Sequence, residues 1–244
     1  MLACLFFLMI LQSVAGIGIL VVGTPLLLIN YSLPEILSIL LPISIITSFG
    51  NLIFFQKTKL NLKIKIDKKI KYYFFLICVP SIFFGLLILK KFENYFNFNL
   101  IVSIIIFLSL SIKILFHKYS LKVSNNYQKI LLCITGVVHG LTNSGGSLLS
   151  LFINLKNENN ISQYRYNIAF FYFFLALIQC FMFLYLFEIK IITKNLVIIS
   201  FLLPVAIYLG NLISKKIKEK LYSNIINTLA FFASLLLFIN NFTK

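Results

Sequence analysis

The chain has 244 residues, of which 60% are hydrophobic and only 11% are charged. A typical soluble domain has about a quarter charged residues, so this chain lacks the polar side chains that would cover a water-exposed surface. The composition excludes an ordinary soluble enzyme, a disordered chain and a nucleic-acid-binding module, despite the net charge of +16.

Eight apolar segments follow one another along the chain and leave no room for a soluble domain. About 20 residues, each rising 1.5 Å, cross the hydrocarbon core of a bilayer as a helix. We therefore predict an all-α polytopic membrane protein with a single transmembrane domain over residues 1–244. The first segment has no basic N-terminal region and no cleavage site, so we expect it to be retained. The segments are residues 2–29, 36–55, 72–89, 98–116, 130–155, 166–187, 191–213 and 221–239.

Two of these segments are interrupted by small and polar residues. A straight helix over residues 2–29 would be about 42 Å long, which exceeds the thickness of the core. Irregular backbone at membrane depth is tolerated only where it is buried in protein or lines a cavity. We therefore predict broken or re-entrant helices. The interruptions are Gly16, Gly18, Gly23 and Thr24 in the first segment, and His139, Gly140, Thr142, Asn143, Ser144, Gly145, Gly146 and Ser147 in the fifth.

The interrupted segments also mark an internal repeat. A shift of 124 positions aligns residues 16–30 with 140–154, and a shift of 125 aligns residues 85–91 with 210–216. The alignment predicts one repeat over about residues 1–120 and a second over about 124–240. Each repeat opens with a broken helix and continues with three plain segments.

The lysines indicate how the two repeats lie in the membrane. If each interrupted segment crosses once, 14 Lys and Arg residues lie on the side of the 56–71 loop and 8 on the other. If each interrupted segment turns back, the numbers become 17 and 5. Because cytoplasmic loops are enriched in Lys and Arg, the second arrangement is favoured, and it makes the two repeats inverted.

Paired broken helices in inverted repeats predict a substrate site where the breaks meet. A helix that begins inside the membrane presents free N–H groups and the positive end of its dipole, which attract an anion. The interrupting residues of both segments are therefore the candidate substrate-binding residues. The alternative is that the small residues only allow close helix packing.

The apolar segments contain other polar residues whose roles can be predicted. His139 could relay a proton or bind an anion when charged, or it could be a neutral histidine bonded to the backbone. Gln12 and Gln179 are expected to form interhelical hydrogen bonds. The Gly-Asn pairs at 50–51 and 210–211 are expected to mark close helix contacts, with Asn51 and Asn211 near the substrate path.

The glycine-rich segments resemble those of the TauE/SafE family of membrane permeases. The first reads QSVAGIGILVVGTPLLL over residues 12–28, with Pro25 where the family often has a proline. The second reads GVVHGLTNSGGSLLSLF over residues 136–152, where Leu149 replaces that proline. The first segment also lacks the consecutive glycines common in the family. The resemblance implies transport of small anions, often sulfite, organosulfonates or related carboxylates, most simply across a bacterial inner membrane.

No enzyme signature accompanies these features. The four cysteines lie in different apolar segments without ligand spacing, and the two histidines form no HExxH motif. We expect a secondary permease with a small anionic substrate and membrane lipids as partners, and without a cofactor, a metal or nucleic acid. A flippase for a lipid-linked intermediate and a non-transporting membrane scaffold remain as alternatives. The sequence leaves the direction of transport, the coupling ion and the oligomeric state open.

Overall fold

The computed structural model describes the chain except residues 1, 17, 59–65, 67, 93, 94, 96, 120–124, 155–160, 189–192, 217, 218, 243 and 244. The described part is all helical, which agrees with the predicted class. Its ten helices are α1 (Leu2–Ala15), α2 (Ile19–Leu27), α3 (Leu33–Thr58), α4 (Lys68–Phe92), α5 (Phe98–Tyr119), α6 (Asn125–Thr142), α7 (Gly146–Asn154), α8 (Ile161–Phe187), α9 (Thr193–Lys216) and α10 (Glu219–Phe242).

Three helical stretches are long and apolar enough to cross a membrane, and they lie in α3, α4 and α8. Their bounds are Leu33–Phe54, Lys68–Phe92 and Gln163–Phe187. Shorter apolar stretches occur in α1, α5, α9 and α10. The prediction of eight apolar segments arranged as an inverted repeat is therefore not confirmed by helix length within the described residues.

Local sequence signals explain where several helices begin. Ser32 and Glu35 form a capping box at the start of α3, because Glu35 Oε2 accepts hydrogen bonds from the backbone N–H and the hydroxyl of Ser32, both at 2.9 Å. Asn97 caps α5 by accepting from the backbone N–H of Leu100 at 3.3 Å. Helices α3 and α5 therefore start where the sequence supplies a side-chain acceptor.

Helix α4 contains a π-helical turn over Phe74–Cys78, followed by Pro80. Proline has no N–H to donate to the preceding turn, so a change in hydrogen-bond pattern at this point is physically reasonable. The turn packs against α8, where the Phe74 and Phe171 rings lie 4.9 Å apart. It also contacts α6, because Gly136 leaves room for the carbonyl of Cys78.

Glycines allow the closest helix contact, between α4 and α6. Gly85 and Gly140 face each other, and a methyl group on either would meet backbone of the other helix. Ser81, one turn before Gly85, lies against Gly136, one turn before Gly140, so α4 and α6 run parallel. Small residues four positions apart are typical of such backbone contact in membranes.

The same kind of contact joins α1 to α9. Gly210 of α9 lies against Ser13 and the carbonyl of Ile10 in α1. Helix α3 packs against α8, where the Phe49 and Phe173 rings are 5.9 Å apart. Helix α5 packs against α10 through Phe107 and Phe231, 5.3 Å apart. Every helix of residues 1–119 thus has a packing partner in residues 125–242.

Candidate substrate site at the two helix breaks

The first break separates α1 from α2. Gly16 follows α1 directly with φ +79°, a left-handed conformation that favours glycine. After the break, Gly23 of α2 lies beside Leu8 of α1, because a methyl group on Gly23 would stand 2.9 Å from Leu8 Cδ1. Gly18, directly before α2, lies against Leu11 and Gln12, so the contacts move back along α1 as the chain proceeds, and α2 folds back along α1.

Gln12 holds the first break together. Its Nε2 donates to the carbonyl of Ser44 at 3.1 Å and to the hydroxyl of Ser48 at 2.8 Å, both in α3. Its Oε1 accepts from the backbone N–H of Ile19 at 3.3 Å, at the start of α2. The expected interhelical hydrogen bonding of Gln12 is present, and one side chain satisfies an N–H that has no partner within its own helix.

The second break separates α6 from α7. Asn143 follows α6 with φ +62°, a conformation that asparagine tolerates better than most residues. Its backbone N–H donates to the carbonyl of His139 at 2.8 Å. A methyl group on Gly145 would stand 2.6 Å from His139 Cβ and 2.5 Å from the carbonyl oxygen of Thr135. The chain therefore turns back against α6 here as well.

Hydroxyl groups line the start of α7. Ser144 donates through its backbone N–H to the hydroxyl of Thr142 at 3.3 Å. Ser147 donates to the hydroxyl of Ser109 in α5 at 2.9 Å. Residues 142–146 are buried, and Ser147 is 6% exposed. The candidate residues of the second segment thus form one buried polar cluster joined to α5.

The structure brings the two breaks together. Asn143 Nδ2 donates to the hydroxyl of Thr24 at 3.1 Å, although 119 positions separate the two residues in sequence. Tyr172 of α8 also contacts both breaks, because its ring packs against Gly146 at the start of α7 and its hydroxyl lies against the backbone of Leu20 at the start of α2. The N-terminal ends of α2 and α7 therefore converge on one side chain.

The offset in sequence between the two breaks differs from the offset at which identical residues align. The residues that follow α1 and α6 are Gly16 and Asn143, and α2 and α7 begin at Ile19 and Gly146. The breaks are therefore 127 positions apart, three more than the offset of 124 predicted from the alignment of Gly16 with Gly140. At an offset of 127, His139 lies as far before the second break as Gln12 lies before the first.

Polar atoms without a partner are concentrated at the second break. Neither ring nitrogen of His139 has a hydrogen-bond partner, and the same holds for Asn143 Oδ1 and Gln179 Oε1. All three side chains belong to residues with no exposed surface. Gln179 Nε2 donates to the carbonyl of His139 at 3.0 Å, so these three residues surround the same turn of α6. Buried polar groups in native proteins normally have partners, and this cluster is an exception.

A second polar cluster adjoins the first break. Arg165 of α8 donates through Nη2 to the carbonyl of Ser13 at 3.0 Å and to Asn211 Oδ1 at 3.2 Å. Asn51 Nδ2 donates to the carbonyl of Gln12 at 3.4 Å, and Asn211 Nδ2 donates to Asn51 Oδ1 at 3.5 Å. The two Gly-Asn pairs therefore mark close contacts, as expected, and Asn51 and Asn211 lead from the break toward an arginine.

Other surfaces of the molecule are chemically different from the breaks. An open groove of about 480 Å³ is lined by Lys68, Lys71, Tyr72, Phe75 and Leu76 of α4. Among the described residues, no group of three or more His, Cys, Asp or Glu side chains could hold a metal ion. The four cysteines are free thiols.

Three residues of the site were not among the predicted ones. Tyr172 was hidden in the aromatic run of residues 170–174, where nothing distinguishes its role in sequence. Ser109 belongs to a plain apolar helix. Arg165 did carry a signal, since it is the only arginine in the chain.

The described architecture is that of a helical membrane protein in which two broken helices meet at a buried polar cluster. The family model described as sulfite exporter TauE/SafE matches residues 1–237, and the chain belongs to this family of membrane transporters. The resemblance seen in the glycine-rich segments is thereby confirmed. Neither the curated proteins nor the solved structures contain a match.

Proposed function

We propose that this protein is a secondary permease for a small anion, with sulfite or an organosulfonate as the leading substrates. One observation carries the proposal: the hydrogen bond between Asn143, at the second break, and Thr24, in the helix α2 that follows the first break. Two unrelated packing defects would have no reason to meet across 119 positions. Two halves of one binding site must meet.

The chemistry at the breaks suits an anion with several oxygens. The N-terminal ends of α2 and α7 both lie there, and each presents N–H groups and the positive end of a dipole. The side chains around them include Thr24, Thr142, Ser144 and Ser147, which donate hydrogen bonds without bringing a negative charge. Neutral donors of this kind bind an anion and still permit its release.

We also propose that the two repeats are inverted in the membrane. Helix α1 packs on α9 just as α6 packs on α4, while α3 pairs with its counterpart α8 and α5 with its counterpart α10. Such reciprocal pairing is what a two-fold relation between repeats produces. The folding back of α2 and α7 agrees with the lysine distribution, which favours interrupted segments that return to the side they start from. Alternating access would then proceed by rocking one repeat against the other.

The competing readings explain fewer observations. A scaffold protein would use the glycines for packing alone, as Gly85 and Gly140 do, and would not need unpartnered buried polar atoms at the second break. A flippase for a lipid-linked substrate would need the polar cluster to open toward the lipid. Residues 142–147 are instead buried.

Transport into proteoliposomes tests the proposal. Purified protein should take up radiolabelled sulfite and ethanesulfonate faster than empty liposomes do. Asn143→Asp places a negative charge in the site and should abolish uptake of both anions. Asn97→Asp makes the same chemical change at an exposed helix cap, where aspartate is equally favoured, and should leave uptake unchanged. Failure of the wild-type protein to move any sulfite or sulfonate would contradict the proposal.

A further inference from the structure

We infer that His139 binds a proton together with the transported anion, so that this permease couples anion and proton movement. The inference rests on the proposed function, because it assigns a coupling ion to the same site. It starts from a difference between two equivalent positions, Gln12 and His139, at the same point before the two breaks.

The two positions differ in hydrogen bonding. Gln12 uses both ends of its amide, donating to α3 and accepting from the backbone N–H of Ile19. The ring nitrogens of His139 have no partner, although the residue has no exposed surface. The amide of Gln12 is therefore fully used at the first break, whereas the second break has a titratable side chain whose bonding capacity is unused.

The side-chain oxygens around His139 that have no hydrogen-bond partner indicate that a donor is missing there. Asn143 Oδ1 and Gln179 Oε1 are both acceptors without a donor. Asn143 and Gln179 both donate to the backbone carbonyl of His139, from the backbone N–H and from Nε2 respectively. A neutral imidazole has one N–H donor, and a protonated imidazole has two. A proton on His139 therefore supplies the kind of group that this cluster lacks.

The charges around His139 make that proton dependent on an anion. His139 lies in the last turn of α6, where the helix dipole favours a cation, and against Gly145, directly before α7, where the dipole disfavours one. A buried cation also needs a counter-charge. An anion bound at the start of α7 would supply it, and the protonated imidazole would in turn hold the anion. Each ligand then raises the affinity of the other by the same factor.

No described side chain near His139 supplies a permanent counter-charge. Its own helix and the elements packed around it contain no described Asp or Glu side chain. The described side chains of α2, α5 and α7 include no titratable group. Lys90 of α4 donates to the carbonyl of Leu186, seven positions beyond Gln179. The other described titratable or charged groups on α4, α6 and α8 are Lys68, Lys69, Lys71, Tyr72, Tyr73, Cys78, Lys91, Tyr127, Lys129, Cys133, Tyr164, Arg165, Tyr166, Tyr172, Cys180 and Tyr185.

The test is the pH dependence of ethanesulfonate binding, measured calorimetrically on purified protein in nanodiscs. Ethanesulfonate keeps its charge over the whole pH range, so any dependence belongs to the protein. If one proton binds with each anion, affinity should weaken by up to about tenfold per pH unit as pH rises between about pH 6 and pH 8. Titrations in two buffers with different ionisation enthalpies should show uptake of one proton per anion in the wild-type protein.

His139→Gln installs the residue found at the equivalent position of the first break and provides the matched variant. It should bind ethanesulfonate with an affinity independent of pH and without proton uptake, and a thermal unfolding curve establishes that it is folded. Wild-type binding that is independent of pH and releases or takes up no proton would overturn the inference while leaving the permease proposal intact. Pronounced pH dependence that persists in His139→Gln would also overturn it. Absence of both binding and uptake of ethanesulfonate and sulfite by the wild-type protein would count against both proposals.

Discussion

Removing the hydroxyl of Thr24 is the most informative single change to the site. Thr24→Val preserves the shape of the side chain and deletes the acceptor for Asn143 Nδ2, at present 3.1 Å away. A buried donor left without its acceptor costs about 1–3 kcal/mol. Interhelical hydrogen bonds in membranes are worth about 0.6 kcal/mol on average and about 1.7 kcal/mol at most. We therefore expect a loss of about 1–2 kcal/mol in the free energy of unfolding.

Thermal unfolding in detergent measures this loss. For a chain of this size, 1 kcal/mol corresponds to about 2–4 °C in Tm, so Thr24→Val should unfold about 2–8 °C below the wild type. Thr47→Val is the matched control, because the Thr47 hydroxyl is also buried but donates only to the carbonyl of Ile43 in its own helix, at 2.7 Å. The control should retain uptake of ethanesulfonate, and Thr24→Val should lose most of it.

A double-mutant cycle shows whether the bond itself is responsible. Asn143→Gly removes the same bond from the other side and keeps the left-handed backbone at φ +62° accessible. Once either partner is gone, the second change has no bond left to break. The double variant should therefore lose less stability than the sum of the single losses, by about 0.5–1.5 kcal/mol. Strictly additive losses would refute the reasoning that the two breaks are bonded.

Other residues give simpler predictions. Gly16→Ala forces a side chain onto a backbone at φ +79° and against Ile168; it should lower the free energy of unfolding by about 2 kcal/mol or more, and an unchanged Tm would contradict the backbone assignment. Gly140→Ala would push α6 away from backbone of α4, whereas Gly23→Ala meets mainly the flexible end of Leu8, so Gly140→Ala should lose more stability in the same assay. Gln12→Leu removes the bonds to Ser44, Ser48 and Ile19 and should lower the free energy of unfolding by about 2–4 kcal/mol. The control is Ser111→Ala, which removes an exposed hydroxyl bonded only within its own helix. A smaller loss of stability for Gln12→Leu than for this control would contradict the role of Gln12.

The sequence was sufficient to locate both breaks. Glycines and small polar residues in the middle of long apolar segments have a direct physical meaning, because irregular backbone must be buried in a membrane protein. The same residues led to the family, which the match over residues 1–237 confirms. The division into long and short helices was not predictable, because apolar composition continues through the short helices α2 and α7.

The register of the repeat shows why identity alone was misleading. Aligning Gly16 with Gly140 matched two glycines that have different structural roles. Gly16 adopts a left-handed conformation, whereas Gly140 makes room for the backbone of α4. The conformational counterpart of Gly16 is Asn143, since asparagine also tolerates positive φ. At the offset of 124, Gln12 and His139 are not aligned, although both lie four positions before a residue with positive φ.

Contacts between distant parts of the chain lay beyond sequence reasoning. Nothing local in Thr24 indicates that it accepts a hydrogen bond from Asn143, because that contact is created by the packing of helices from both halves. Tyr172 is one of several aromatic residues in succession, and its position between two helix ends follows only from the orientation of α8. The kinds of residue at the site were therefore predictable from the sequence, but which of them contact each other was not.

A disulfide between the two breaks tests the central claim most directly. In a variant whose native cysteines are replaced, Thr24→Cys and Asn143→Cys place two thiols where the native side chains are in hydrogen-bonding contact, and a disulfide forms there only if the two backbones lie close together. Oxidation should join them, measured as the loss of both thiols to a thiol-reactive label, while each single-cysteine variant should keep its thiol; because the bond between Thr24 and Asn143 is absent, the double variant should take up little ethanesulfonate in either state. Failure to form the bridge, or full transport by the bridged protein, would contradict the claim that the two breaks form one substrate site.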